Sequence, residues 1–253
     1  SILSFLTSTV LLEYLPKSTT LVVNNSKVEK CRLRFGQTEI FVLETINPTT
    51  IKALVRPGRK FKLGPVQVND FKFVVSDIAE DGIRIIKLDR SIDDKSFDPY
   101  RLTPLPPYIK QDERLAGSYQ TVYADPLGSK AAPTAGLHFT DELLRKIKSN
   151  HEIAEITLHV GLGTFAPVKT ANLRDHILHE EFYSIDKTVA AKLNKADHIT
   201  AVGTTTVRTL ESTKRPYRAI DGKTQIFITP GYQFKAVDSL ITNFHLPKSS
   251  LLM

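Results

Sequence analysis

The rhythm of apolar and polar positions changes twice along the chain. Leu21-Val22-Val23 is a short apolar run ending in Asn24-Asn25-Ser26, the pattern of a buried strand that runs into a loop of side-chain amides. Strand ends of this kind carry ligand contacts in α/β sheets, and an Asn-Asn turn has the same appearance. From about Cys31 to Asp98 the apolar residues come in short β-rich runs over 39–43, 51–55, 71–75 and 83–88, separated by Asn-Pro, Pro-Gly, Gly-Pro and Asp-Gly. Without helical periodicity between these turn signals, the segment predicts a small all-β barrel or sandwich. Pro99, Pro104, Pro106 and Pro107 then mark a linker. Beyond it strand and helix alternate. Thr140 is an N-cap candidate before acids and a face of Leu143, Leu144 and Ile147. A strand is expected over 153–160, a helix over 186–196 with Val189 and Leu193 inward, a strand over 199–202, a helix over 205–212 and a strand over 225–229. Residues 1–16 are assigned no element. The expected fold is an α/β domain with an inserted small all-β barrel-like domain. Its first part is residues 1–30, the insert is 31–105, and 106–253 carry most of the site.

Composition narrows the class. With 253 residues, 41% hydrophobic and 24% charged, the chain reads as a soluble globular protein with room for a sizeable core. No apolar run approaches the roughly 20 residues that span a bilayer. Residues 1–10 lack the basic start and small-residue cleavage site of a secretory signal. The single cysteine, Cys31, excludes an internal disulfide and a multi-cysteine zinc site, and fits a reducing, cytoplasmic setting. A formal charge of +7 and pI near 9.3 favour a polyanionic partner. There is no Trp, and the aromatics are not spaced as RNA-stacking motifs.

Five stretches could carry chemistry. K-A-A-P-T-A-G-L-H-F (130–139) is too small and polar for ordinary core. Pro133 fixes φ, Gly136 allows a positive φ or the close approach of a ligand, and His138 follows; a surface loop is the alternative reading. In 158–167, Gly161 and Gly163 match G-x-G-x-x-A, but Phe165 and Pro167 interrupt the helix that a dinucleotide site needs. The stretch reads better as a strand end cleared by glycines, with His159 and Thr164 supplying polar atoms. His176 and His179 with Glu180 and Glu181 resemble a metal-ligand spacing that lacks an obvious third ligand, so a polar site edge with Glu181 toward ligand hydroxyls is preferred. Gly203 followed by Thr204, Thr205, Thr206 and Arg208 forms a helix start suited to an anion, although threonines there also serve as simple caps. Last, Thr229-Pro230-Gly231-Tyr232 and the stretch with Asn243, His245 and Lys248 crowd polar groups near the end. Arg56-Pro57-Gly58-Arg59-Lys60, between two predicted strands, reads as a solvated hairpin tip or a phosphate contact.

Together K-A-A-P-T-A-G-L-H-F, H-V-G-L-G-T-F-A-P-V, V-G-T-T-T-V-R-T-L-E-S, I-T-P-G-Y-Q-F and L-I-T-N-F-H-L-P-K-S-S-L-L-M resemble the S-adenosylmethionine:tRNA ribosyltransferase-isomerase family of queuosine biosynthesis. Five such strings in order over 130–253 are specific, and 21–28 and 53–59 extend the resemblance into the first half. The chain departs from the family by ending at Met253, by lacking the usual first segment, and by short joins near Phe35-Gly36, Gly64-Pro65, Lys110-Gln111 and Asn150-His151, where segments are expected to be missing.

The resemblance implies that S-adenosylmethionine is consumed as a substrate, with no bound cofactor and no metal. Its ribosyl unit would pass to 7-aminomethyl-7-deazaguanine at the tRNA wobble position and isomerise, giving epoxyqueuosine with release of adenine and methionine. Such a site needs a base beside the sulfonium, an acid for adenine and polar groups for the methionine carboxylate and ribose. His138 and His159 are expected in acid/base work, with His245 in reserve. Substrate contacts are expected at Thr134, Gly136, Gly161, Gly163, Thr164, Glu181, Thr204, Thr205, Arg208, Glu211, Gly231, Tyr232 and Asn243, and tRNA contacts at Arg56, Arg59 and Lys60. A monomer without membrane association is expected. The alternatives are a S-adenosylmethionine-dependent tRNA methyltransferase and a non-catalytic RNA-binding protein.

Overall fold

The computed structural model describes residues 8–106, 109, 112–161 and 179–243. It divides into two compact units, Ser1–Val28 with Gly117–Met253, and Glu29–Ala116. In chain order the first unit opens with α1 (Ser8–Tyr14), β1 (Thr19–Asn24) and β2 (Lys27–Val28). The second unit holds β3 (Arg32–Phe35), β4 (Thr38–Asn47), β5 (Thr50–Arg56), β6 (Gly64–Val68), β7 (Phe71–Ile78), β8 (Arg84–Leu88), β9 (Arg101–Leu102) and α2 (Glu113–Ala116). The first unit resumes with β10 (Leu127–Ser129), a 3-10 turn at Thr134–His138, α3 (Asp141–Lys148), β11 (Glu152–Leu158), β12 (Glu181–Ile185), α4 (Lys187–Lys195), β13 (His198–Val202), α5 (Thr204–Glu211), β14 (Ile220–Thr224) and β15 (Ser239–Ile241).

The first unit is built on a six-stranded sheet of order β14-β12-β11-β1-β13-β15. The strands β11, β1, β13 and β15 run parallel, while β12 is antiparallel to both β11 and β14. All six residues of β1 are buried, as a central parallel strand covered on both faces requires. Alternate residues of β1 feed two cores. Leu21 and Val23 join Leu143, Leu144 and Ile147 of α3. Val22 joins Ala154, Ile156 and Leu158 of β11, Val189 and Leu193 of α4, and Val207 and Leu210 of α5. Both outer helices are capped: the Thr140 side chain, as expected, accepts from Leu143 N–H, and the Asp186 side chain accepts from Val189 N–H.

Among the elements that differ from the sequence reading are α1 and β14. Helix α1 occupies a stretch assigned no element, because β-branched Thr9 and Val10 obscure the helical spacing of Leu11, Leu12 and Leu15. The last β12 partner is the polar run Ile220–Thr224 and not 225–229. Gly222 permits this, since a Cβ there would stand 2.8 Å from the Tyr183 hydroxyl, while Ile228 packs on the core as irregular chain.

The second unit is one antiparallel sheet of order β6-β7-β8-β5-β4-β3-β9. Four strand spacings separate β3 from β7, about 19 Å if the sheet were flat, yet the rings of Phe35 and Phe71 lie 5.3 Å apart. The sheet therefore curls around an aromatic core that also holds Phe73, Phe97 and Tyr100. It remains open, with β6 and β9 as its end strands, where a barrel or sandwich was expected. Residues 56–60 are not a hairpin tip either. They begin a crossover from β5, which pairs with β4 and β8, to the end strand β6.

Candidate active site

Several of the polar residues singled out in the first unit gather at the carboxyl ends of β11, β1 and β13. β1 lies between strands that follow it much later in the chain, β11 on one side and β13 on the other, so its end is a topological switch point, where open α/β sheets bind ligands. Asn24 ends β1 and is buried. Its amide stands in for a further peptide unit: Oδ1 accepts from Leu158 N–H at 2.9 Å and Nδ2 donates to Leu158 O at 3.0 Å. Nδ2 also reaches Thr205 Oγ1 at 3.3 Å, tying the start of α5 to the strand ends. This splint was missed in the sequence, where Asn24 reads equally well as a turn residue.

Past the splint, residues 128–131 line the end of β11. Lys130 N–H donates to Val160 O at 2.8 Å, and Val160 N–H donates to Ser129 Oγ at 3.0 Å. His159 lies within this strip. Its N–H donates to Phe182 O, and its ring stacks on Phe182 with centroids 5.8 Å apart and planes 17° from parallel. Gly128, at φ +143°, leaves room for the ring, since a Cβ there would stand 3.0 Å from His159 Cε1. Nδ1 of His159 is buried with no hydrogen-bond partner among the described residues. Burial, then the charge of Lys130, holds the His159 pKa below its usual value. Burial also brings Lys130 down to about 8. Neither Lys130 nor Phe182 was singled out from sequence, although Lys130 begins the first motif.

His138 stands further along the same edge. It is exposed, and its Nε2 lies 3.0 Å from Oδ1 of Asn243, just beyond β15. Its turn packs on the start of α5, where a Cβ at Gly203 would stand 3.7 Å from Ala135 Cβ. From the β11 end to the β13 and β15 ends, the edge between the two histidines is roughly 10–15 Å long. Thr134 opens the same turn and is half-buried. Gly136 has neither a positive φ nor open space: a Cβ there would meet the Tyr123 hydroxyl at 2.1 Å, so this glycine admits Tyr123 rather than a ligand.

On the opposite face of the sheet, Arg208 of α5 forms an ion pair with buried Glu181. The other Glu181 oxygen accepts from Gly161 N–H at 2.8 Å, and Arg208 Nε donates to Ile226 O at 3.3 Å. The expected assignments of Glu181 to ligand hydroxyls and of Arg208 to a carboxylate therefore give way to a mutual pair that fastens Gly161, with Arg208 Nη2 buried and unpartnered among the described residues. Thr204 and Thr205 begin α5 behind Gly203, whose φ is +86°. Glu211, expected at the substrate, spends its carboxylate on one loop. It takes the main-chain N–H groups of Lys235, Ala236 and Val237 and the hydroxyl of Tyr232, so it clamps the loop beyond β14. Gly231, at φ +92°, serves the turn closed by Tyr232 N–H on Thr229 O. Gly163, Thr164, His176 and His245 lie outside the described residues. Arg56, Arg59 and Lys60 belong to the second unit.

A family model described as "Queuosine biosynthesis protein" matches residues 6–253. The chain belongs to the queuosine biosynthesis protein family. Among relatives in this family, the S-adenosylmethionine:tRNA ribosyltransferase-isomerase of Thermotoga maritima is 48% identical over 257 residues, covering 96% of this chain and 76% of the relative. The enzyme of that name from Halothermothrix orenii is 45% identical over 262 residues, with the same shares covered. A solved structure titled S-adenosylmethionine tRNA ribosyltransferase, from Thermotoga maritima, is 37% identical, covers 96% of this chain and 72% of its own, and superimposes with a TM-score of 0.43. Among the described residues, no helix is long and apolar enough to cross a membrane.

Proposed function

We propose that this chain transfers the ribosyl unit of S-adenosylmethionine to 7-aminomethyl-7-deazaguanine at the wobble position of tRNA and isomerises it. The products would be epoxyqueuosine-tRNA, adenine and methionine. The observation that carries the reading is the arrival of separate family motifs at one sheet edge: 130–139 with His138, the β11 end with His159, the start of α5, and Asn243. His159 is the proton acceptor for the carbon beside the sulfonium, since its depressed pKa leaves it neutral near pH 7. His138, oriented by Asn243, is the proton donor for departing adenine. The methionine carboxylate is held at the first N–H groups of α5, because the Arg208 charge is already matched by Glu181. S-adenosylmethionine is consumed, and the reading calls for no bound cofactor or metal.

Incubation with S-adenosylmethionine and tRNA carrying the modified wobble base tests the reading through adenine release and the mass of the digested nucleoside. Adenine with an epoxyqueuosine mass is expected. A methylated nucleoside would make the chain a methyltransferase, and tRNA binding without adenine release would make it a binding protein.

A further inference from the structure

Strand β12 departs from the pattern of a half-buried strand at one residue. Glu181, Tyr183 and Ile185 are buried, the last two in the core with α4 and α5. Phe182 lies on the other face, where a strand next to the sheet edge would carry a polar residue, and it is 41% exposed. A lone exposed ring is ordinary on a protein surface. This one occupies the middle of a row. On one side His159 N–H donates to Phe182 O at 2.9 Å, and the imidazole stacks on the ring with planes 17° from parallel. On the other side Phe182 pairs with Lys223 of β14, so the two side chains share a face. Imidazole, ring and ammonium thus stand on three neighbouring strands, with about 10 Å between the first backbone and the last.

The acids closest to this row along β12 and β14 sit at its rim. Glu180 meets Lys223 at 3.1 Å through side chains that are both at least half exposed, and Asp221 lies across from Ser184, two residues further along β12. An exposed pair of this kind is worth little, which leaves Lys223 open to a second anion. An exposed ring beside a cation is the arrangement by which proteins hold an unstacked nucleobase, the ring taking the flat base and the cation a phosphate. The proposed reaction, on which the inference rests, brings such a base to this row. The attacking amine is carried one methylene from a flat 7-deazaguanine ring, and the carbon beside the sulfonium gives its proton to His159. The base therefore comes within a nucleotide's width of the imidazole, the distance at which Phe182 stands.

We propose that Phe182 is the stacking platform for the wobble base of the tRNA, with Lys223 toward an adjoining phosphate. The strand order fixes the arrangement, because β12 is paired on both sides and holds the ring between His159 and Lys223. A base seated on Phe182 lies beside the imidazole without displacing it.

The test is equilibrium binding of wild type and Phe182→Leu to two anticodon stem-loop RNAs, one carrying 7-aminomethyl-7-deazaguanine at the wobble position and one abasic there. Leucine keeps apolar cover beside His159 and lacks the flat ring. Phe182→Leu should bind the base-bearing RNA roughly 5- to 150-fold more weakly than wild type, the loss expected for one stacked base. The two proteins should bind the abasic RNA equally, and Phe182→Tyr should restore the affinity. Equal losses on both RNAs, or no loss on either, overturn the proposal, because Phe182 would then act without touching the base. Failure of wild type to bind the base-bearing RNA overturns it as well. If Phe182→Leu does not fold, Phe182→Met carries the same comparison. Binding needs neither S-adenosylmethionine nor turnover, so the two readings fail separately. A base-dependent loss without adenine release keeps the platform and removes the reaction, and adenine release with losses independent of the base does the reverse.

Discussion

At Gly136 the missing side chain is a packing requirement. A Cβ would stand 2.1 Å from the Tyr123 hydroxyl and 2.8 Å from Thr121 Cγ2, so Gly136→Ala should cost about 1–3 kcal/mol through overpacking. A lower urea midpoint at unchanged slope would show it, and Tyr123→Phe in the same chain should recover part of the loss; a neutral Gly136→Ala would mean that the tyrosine moves aside freely. Cys31 presents the opposite case, a reactive group made inert by its surroundings. Burial pushes its thiol up to about 12 from an ordinary 9.0, so at pH 8 the folded protein holds almost no thiolate. Disulfide-forming thiol reagents should label it only after denaturant is added, and rapid labelling of the native protein would contradict the burial. The sign of the linkage follows: the folded pKa is raised, so this stabilisation is complete below about pH 9 and is lost as pH climbs toward 12. Neither property could be read from neighbouring residues alone. The atom that fills the space at Gly136 comes from thirteen positions upstream, and a lone cysteine in a sequence has no burial until its sheet curls.

Among the elements, Glu211 illustrates how an ionised side chain at the end of a helix can serve architecture. Its carboxylate, at the end of α5, gathers three main-chain N–H groups and the Tyr232 hydroxyl from one loop. Glu211→Gln exchanges one acceptor for a donor that faces those N–H groups, at an expected cost of about 1–3 kcal/mol. Hydrogen exchange at the amides of Lys235, Ala236 and Val237 should quicken; rates equal to wild type would show that something else holds the loop. Elements with a strong local pattern were legible beforehand. α3 announced itself by a cap and one apolar face, α4 by its inward Val189 and Leu193, and β1 by its continuous apolar run. β14 was not legible, because Gly222 and its polar neighbours form a strand only on account of Tyr183 in another strand. For the same reason Glu181 and Arg208 were each visible as candidates but not as partners, since 27 residues separate them and only the packing of α5 on the sheet brings them together.

For the whole molecule, the excess of 34 basic over 27 acidic residues permits RNA binding without locating it. One turn in the second unit was expected from the sequence to meet tRNA, and its geometry makes that expectation testable. Arg84 uses its guanidinium on the carbonyls of Gly58, Phe61 and Gly82, and so holds the chain that carries Arg59 and Lys60. Lys60 also reaches Thr38 Oγ1 at 3.2 Å, which steadies its stem while leaving the residue exposed. A cation presented on a fixed turn loses less conformational freedom on meeting a phosphate than one on a loose loop. If Arg59 and Lys60 meet the tRNA backbone, Arg59→Ala and Lys60→Ala should each raise KM for tRNA and leave KM for S-adenosylmethionine unchanged. Each should also reduce the slope of log affinity against log salt by roughly 0.7–0.9, the release expected from one phosphate contact. Arg84→Ala should weaken tRNA binding while also lowering the thermal midpoint, because it loosens the turn, whereas the two surface substitutions should leave that midpoint in place. An unchanged salt slope in both surface variants would remove this turn from the RNA contact and leave the net charge to act elsewhere on the molecule.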